Sequence, residues 1–276
     1  MAKTLKKIRR REPGYRDPKE RLGDFEEVEL ILSEEESKKQ AARCLTCGTP
    51  FCHGYACPMG NIVPEINELL GEERWQEALL ILLSTHPFPE FTARICPALC
   101  EGSCVCGINE EPVAIRQIEK LLIEKGFAEG WIKPRPPRRR RKESVAVIGS
   151  GPAGLAAADR LNRMGFPVTV YEKDLHPGGI LRYGIPNFKL DKGIVDRRIG
   201  LMKEEGIVFE CGIVVGRDIS YNYLKRHFAA ILMTGGARQP RDLDIPGREL
   251  AGIYPVSYTH LRAHETVLDL VCRLLL

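Results

Sequence analysis

Apolar residues recur at helical spacing through the first half of the chain and in short continuous runs through the second. Between about residues 64 and 84 the spacing predicts two short helices broken near Gly71. Ile66, Leu69 and Leu70 lie on the apolar face of the first, and Trp75, Leu79 and Leu82 on that of the second. A third helix is predicted from Pro112 to Lys125, because proline suits a first turn and Gly126 suits an end. Beyond residue 144 the pattern changes. Val145-Ala-Val-Ile148 reads as a buried strand, Gly154–Met164 as an Ala/Leu-rich helix, and Val168-Thr-Val-Tyr171 as a second strand. Strand, helix and strand in that order make a βαβ unit, hence a parallel sheet with helices on its faces. Between the two halves, Lys133–Lys142 combines three prolines with a run of arginines. Proline lacks the N–H that a helix or central strand needs, so this stretch is expected to be a solvated linker.

Composition narrows the class. A length of 276 residues allows one large domain or two ordinary ones, and 43% hydrophobic residues suffice for a packed core. No apolar run approaches the ~20 residues of a membrane helix, and no apolar segment follows the basic N-terminus as in a signal peptide. A cytoplasmic location is expected. The net charge of +4 comes largely from Lys6–Arg11 and Arg138–Lys142. Neither run interleaves the aromatic residues that would stack on bases, so both are read as solvated and no nucleic-acid or membrane partner is expected.

Cysteine changes the picture most. Eight of the ten lie between Cys44 and Cys106, while Cys211 and Cys272 are isolated. With no sign of export, dense close-spaced cysteines indicate metal before disulfides. They form two runs, Cys44-x2-Cys47-x4-Cys52-x4-Cys57-Pro58 and Cys96-Pro97-x2-Cys100-x3-Cys104-x-Cys106. Iron–sulfur clusters need several thiolates converging on one small volume, and a CxxC loop delivers two from adjacent turns. Zinc competes for the same spacing. Two runs of four, followed directly by a dinucleotide-binding pattern, favour two clusters over zinc.

That pattern is Gly149-Ser-Gly-Pro-Ala-Gly154, placed after a strand and at the start of a helix. Gly149 permits the tight turn, Gly151 lets backbone approach a pyrophosphate, and Gly154 lets helix and strand pack closely. Pro152 and Ala153 open the helix, whose N-terminus presents backbone N–H groups to the anion. Glu172 ends the second strand 23 residues after Gly149, where a carboxylate binds the ribose of an adenosine.

Several stretches resemble one family. Arg43-Cys-Leu-Thr-Cys-Gly-Thr-Pro-Phe-Cys-His53, Cys57-Pro-Met-Gly-Asn-Ile62, Pro87-Phe-Pro-Glu-Phe-Thr-Ala-Arg-Ile-Cys-Pro97 and Cys100-Glu-Gly-Ser-Cys104 are similar to the N-terminal part of glutamate synthase small (beta) subunits. Related modules occur in dihydropyrimidine dehydrogenase and in NADPH:ferredoxin oxidoreductases. The resemblance implies two 4Fe-4S clusters with interleaved ligands: Cys44, Cys47, Cys52 and Cys104 on one, Cys57, Cys96 and Cys100 on the other. It also implies a non-cysteine fourth ligand on the following helix. Glu119 falls between Ile115, Ile118 and Leu122 on the buried face and is the candidate, a salt bridge to Arg94 or Arg116 being the other reading. Cys106 has no counterpart in the pattern and is expected to be a free thiol.

The stretch Pro177-Gly-Gly-Ile-Leu-Arg-Tyr-Gly-Ile-Pro186 with Phe188-Lys-Leu190 resembles the flavin-contacting loop of the same family. This makes FAD the expected occupant of the Gly149–Gly154 site, with Gly179 and Ile180 near the cofactor and Arg182 or Lys189 facing its oxygens. Val215 and Thr234–Gly235 match positions near its adenine and flavin portions. The resemblance therefore implies an α-helical iron–sulfur domain over residues 1–133, a linker over 134–143 and a partial FAD-binding α/β domain over 144–256. This second domain is Rossmann-like, of the two-dinucleotide flavoprotein type. Residues 257–276 match nothing in the family. No second GxGxxG appears, so the chain is expected to be incomplete at its C-terminus and unable by itself to oxidise NADPH. The implied function is passage of electrons from NADPH through FAD and the clusters to a large (alpha) subunit that makes glutamate. The alternatives are a small subunit of a pyrimidine dehydrogenase or ferredoxin:NADP oxidoreductase, and a non-catalytic zinc-binding module.

Overall fold

A computed structural model describes residues 8–237 and 244–253. The tail expected over residues 257–276 lies outside them. The chain divides into two compact units, Met1–Lys133 and Pro134–Leu276.

The first unit is helical. Its α-helices are α1 (Glu34–Ala41), α2 (Val63–Gly71), α3 (Trp75–Thr85), α4 (Pro89–Ile95), α5 (Leu99–Gly102) and α6 (Ile115–Ala128). The Ser33 hydroxyl caps α1 by accepting the Glu36 N–H, satisfying one of the donors a helix start leaves open. The break at Gly71 is present, and Ile66, Leu70, Leu79 and Leu82 are all buried. The core joins α1, α2, α3 and α6 through Ala41, Val63, Ile66, Leu70, Leu82, Ile118 and Leu122.

Helix α6 differs from the expectation at its end. It continues through Gly126 and stops at Ala128, where Gly130 takes a φ of +65°. The Trp131 N–H then bonds the Gly126 carbonyl and the Gly130 N–H bonds Phe127, which closes the helix. Gly126 serves packing instead: a Cβ there would lie 2.4 Å from Leu79 Cδ2.

An ionic network straps the chain around Glu27 and Glu29 to α4 and α6. Arg94 pairs with Glu27 at 2.7 Å and Glu124 at 2.9 Å, Arg116 pairs with Glu29 at 2.6 Å, and fully buried Lys120 reaches both Glu27 and Glu29. Because each buried charge has partners, the desolvation cost is offset.

The second unit is a parallel four-stranded sheet in the order β3-β2-β1-β4, made of β1 (Val145–Ile148), β2 (Val168–Glu172), β3 (Val208–Cys211) and β4 (Ala230–Met233). Val145 pairs with Val168 on one side and Ala230 on the other. The helices are α7 (Pro152–Arg163), α8 (Ile180–Tyr183), α9 (Lys192–Glu204) and α10 (Tyr221–His227). β1 is an interior strand between β2 and β4, and its Ala146 and Val147 are wholly buried, as in a parallel sheet covered on both faces.

The basic stretch is exposed and irregular, but it is not simply solvated. The Arg141 N–H bonds the Gly165 carbonyl at 2.8 Å, Arg140 Nη2 bonds the Glu205 carbonyl at 2.7 Å, and the Arg141 guanidinium lies 4.7 Å from the Phe166 ring centre. Glycine at position 165 allows this approach, since a Cβ would sit 2.6 Å from the Arg139 carbonyl oxygen. Charge runs look solvated in a sequence because nothing in them reports which carbonyls a fold leaves open.

Candidate iron–sulfur and dinucleotide sites

The first cysteine group is assembled by three helix ends and a turn. Cys44 follows α1, its N–H bonded to the Ala41 carbonyl, and Cys47 follows Thr46, which adopts a φ of +51°. Cys52 opens a π-helical turn over Cys52–Ala56, and Cys104 leaves α5 with its N–H on the Glu101 carbonyl. All four thiols line one cavity, whose floor includes Val63, Val113 and Ile115. Cys106 lines it too, and its thiol donates to the Arg43 carbonyl at 3.1 Å. Among the described residues no cysteine is in a disulfide.

The second group gathers around α5. Cys57 ends the π-helical turn, Cys96 caps the C-terminus of α4, and Cys100 lies within α5. The Ala98 N–H, in a left-handed residue with a φ of +57°, points at Cys96 Sγ from 3.4 Å. Glu119 projects from α6 and is buried. Neither Arg94 nor Arg116 pairs with it, since both bond other carboxylates. Among the described residues its hydrogen-bond partner is Asn61, whose Nδ2 donates to Oε1 at 2.8 Å.

The titration behaviour follows from this crowding. Burial pushes the Cys52 thiol up to about 11, with Cys104 and Cys44 adding to the effect. Burial likewise raises Cys100, and the nearby Glu119, Glu101, Cys57 and Cys96 raise it further. Burial lifts the Glu119 carboxyl to about 7 against the Asn61 hydrogen bond. Such groups resist ionisation only while no cation sits among them, and metal binding at thiolates releases their protons. Among the described residues no three of His, Cys, Asp or Glu converge on a point that could hold a single ion. Zinc would need its sulfurs ~2.3 Å from one centre. Four thiols around one cavity over an apolar floor suit the all-thiolate ligation of an iron–sulfur cluster.

In the second unit, the glycine pattern is built into the turn between β1 and α7. Gly149 has a φ of +103°, and a Cβ on it would lie 2.5 Å from the Thr234 carbonyl oxygen. A Cβ on Gly154 would lie 1.9 Å from the Gly149 carbonyl oxygen, so helix and strand touch there. Gly151 faces open space, with nothing within 4 Å of a Cβ position, at the start of α7. A pyrophosphate fits that opening at a helix N-terminus. Pro152 and Ala153 occupy the first turn.

Glu172 sits beside this turn. Its Oε2 accepts the Ser150 N–H at 2.9 Å and the Ser150 hydroxyl, and its Oε1 accepts the Asp174 N–H at 3.0 Å. The Ser150 hydroxyl in turn accepts the Gly178 N–H at 3.0 Å. The loop from 178 therefore presses on the turn, and a Cβ on Gly179 would be 2.7 Å from Gly151 Cα. Ile180 is exposed at the start of α8. Arg182 braces the loop, with Nε on the Pro177 carbonyl at 2.8 Å and Nη2 on Asp196. The Lys189 N–H bonds the Pro186 carbonyl, and Lys192 Nζ holds three more loop carbonyls, those of Leu181, Ile185 and Leu190. Thr234 Oγ1 bonds the Ile148 and Gly149 carbonyls, Gly235 follows it with nothing within 4 Å of where a Cβ would stand, and Val215 packs near Ala146 and Tyr171.

Three residues in these arrangements escaped sequence reasoning. Thr85 carries no motif of its own, Asn61 lies in the family-like stretch Cys57–Ile62 with no role read for it there, and Ser150 occupies a variable position of the glycine pattern. Only a signal that links distant positions could have found them, because their partners lie 22 to 58 residues away.

Comparison with known proteins finds a family for each of the two units. Residues 21–131 match the family described as dihydropyrimidine dehydrogenase domain II, 4Fe-4S cluster, and residues 147–194 match the NAD(P)-binding Rossmann-like domain. The chain is 49% identical to the glutamate synthase [NADPH] small chain of Bacillus subtilis over 95% of its length and 55% of the relative's. It is 50% identical to that of Mycobacterium tuberculosis over 91% of its length and 51% of the relative's. It is also 51% identical to glutamate synthase [NADH] of Saccharomyces cerevisiae over 89% of its length and 12% of that protein. The chain spans about half the length of the curated small chains it matches. No helix among the described residues is long and apolar enough to cross a membrane. Through nine-tenths of its length, an iron–sulfur domain followed by a Rossmann-like dinucleotide-binding domain, the chain is a relative of the glutamate synthase small chains.

Proposed function

We propose that this chain is the iron–sulfur and FAD-binding part of an NADPH-dependent glutamate synthase small subunit, a cytoplasmic electron-transfer protein whose partner is the glutamate-forming large subunit. One observation carries the reading: two groups of four donor side chains stand in one unit, immediately ahead of a unit whose Gly151 opening and Glu172 carboxylate suit a dinucleotide. Identity of about half to glutamate synthase small chains supports it.

On this reading Cys44, Cys47, Cys52 and Cys104 hold one 4Fe-4S cluster, and Cys57, Cys96, Cys100 and Glu119 the other. Gly149, Gly151, Gly154 and the first turn of α7 with Pro152 and Ala153 receive the FAD pyrophosphate. Glu172 receives the adenosine ribose, while Gly179, Ile180, Arg182, Lys189, Val215, Thr234 and Gly235 surround or shape the rest. FAD held there would supply hydride acceptance from NADPH, and the clusters would supply single-electron relay. The protein's own part is to hold these groups in a dry, fixed arrangement and to set their potentials by ligand, burial and hydrogen bond.

The test is the visible spectrum and the metal and flavin content of anaerobically purified protein. Flavin bands with broad iron–sulfur absorption, and co-purification with a large glutamine amidotransferase subunit, are expected. A colourless protein holding zinc would refute the reading.

A further inference from the structure

Asn61 stands at the start of α2, two residues ahead of Val63, and is only 3% exposed. Both ends of its amide are used by side chains from other helices. Nδ2 donates to Glu119 Oε1 on α6 at 2.8 Å, and Oδ1 accepts the Thr85 hydroxyl at the end of α3 at 3.0 Å. A carboxylate that ligates a metal is ionised and only accepts, so in that state the NH2 group faces Glu119, and the carbonyl facing Thr85 accepts its hydroxyl.

Glu119 has no other hydrogen bond among the described residues. One oxygen is anchored by a neutral donor, and the other is left unbonded beside the second cysteine group. A carboxylate that simply stabilised the fold would be expected to meet an arginine or lysine. Here the three basic side chains of α6 are turned elsewhere, Arg116 and Lys120 to Glu29 and Lys125 to Glu34 and Glu129.

We infer that Asn61, backed by Thr85, is the positioning residue that holds Glu119 with one oxygen free to ligate the second iron–sulfur cluster. The inference rests on the reading of Glu119 as that cluster's fourth ligand. Outer partners of this kind fix a ligand's rotamer and basicity, and their loss costs on the order of 10–100-fold in metal affinity. The ammonium-free environment adds a second consequence: a neutral anchor leaves the full carboxylate charge to the cluster.

The test compares Asn61→Ala, Thr85→Val and Glu119→Ala in the full chain purified anaerobically. The measurements are iron content, the EPR spectrum of each reduced cluster and the midpoint potential of the second. Asn61→Ala is expected to shift the second cluster's EPR signal and potential and to raise its rate of loss to a chelator on the order of tenfold. The first cluster's signal should be unchanged. Thr85→Val, which leaves the amide in place but unbraced, should shift the same signal by less, and it keeps the question open to measurement if Asn61→Ala does not fold. A purely structural Asn61 would lower the melting temperature and leave both signals untouched, which overturns the inference. If Glu119→Ala perturbs the second cluster and neither Asn61→Ala nor Thr85→Val does, the ligand stands and the positioning role fails. If all three leave the second cluster unperturbed, the ligand reading itself fails.

Discussion

The Ser150 hydroxyl joins three parts of the proposed FAD site, so Ser150→Ala should weaken cofactor binding although serine need not touch the cofactor. In the native protein it donates to Glu172 and accepts the Gly178 N–H at 3.0 Å, in a fully buried position. Alanine removes a hydrogen bond to a charged group, worth about 1.5–3 kcal/mol, and strands a buried N–H at a cost of about 1–3 kcal/mol. Glu172 keeps the Ser150 and Asp174 N–H groups, so the carboxylate is not left unpaired. Summing the lower ends, the second unit should lose about 2–3 kcal/mol of stability. The Gly178–Gly179 loop loses its tie to the glycine turn, and FAD affinity should fall on the order of tenfold or more, equivalent to about 1.4 kcal/mol. The assays are urea unfolding at pH 7 and titration of the deflavinated protein with FAD, followed by flavin fluorescence. Stability within about 0.5 kcal/mol of native, with a dissociation constant within about twofold, would refute this reasoning.

Three further outcomes follow from the geometry. Serine at any of Cys44, Cys47, Cys52, Cys104, Cys57, Cys96 or Cys100 should remove about one cluster's worth of iron, while Cys106→Ser should remove none, because a serine hydroxyl can still donate to the Arg43 carbonyl. Iron analysis after anaerobic purification checks this, and loss of iron in Cys106→Ser would make it a ligand. Gly151→Ala should fold normally and lose FAD, since its Cβ meets nothing in the protein, whereas Gly154→Ala should destabilise the fold itself, its Cβ striking the Gly149 carbonyl. Circular dichroism with FAD titration separates the two, and normal FAD binding by Gly151→Ala would place the pyrophosphate elsewhere. Partial burial of Glu29 works against ionisation, but Arg116, Lys120 and Gln117 outweigh this and hold its carboxyl down to about 2. A carboxyl depressed in the folded state contributes stability that is present above its unfolded pKa of about 4.5 and is lost as pH falls toward about 2. Glu29→Gln should therefore destabilise the helical unit at pH 7, and its difference from the native protein should shrink through that window in urea unfolding; a pH-independent difference would count against it.

Local patterns carried a great deal. The apolar periodicity around Ile66, Leu70, Leu79 and Leu82 specified two helices and their break, because helix spacing and core burial are one and the same constraint on neighbouring residues. The strand, glycine turn and helix from Val145 to Arg163 were equally legible, since Gly149 and Gly154 answer to contacts within the turn and with one adjacent strand. The cysteine spacing marked iron–sulfur chemistry for the same reason: loops of two to four residues bring thiols together whatever the rest of the chain does.

Tertiary structure decided everything that depends on distant partners. The end of α6 moved past Gly126 because that glycine answers to Leu79, 47 residues earlier, and not to helix termination. Arg140 and Arg141 found the Glu205 and Gly165 carbonyls, which no charge pattern announces. Glu119 was legible as an inward carboxylate, but its partner was not, since the choice among Arg94, Arg116 and Asn61 turned on where the chain around Glu27 and Glu29 crosses α4 and α6 and draws both arginines away. A sequence states which groups are able to bond; which of them meet is settled only when the packed chain has brought some within about 3 Å and taken the others out of reach.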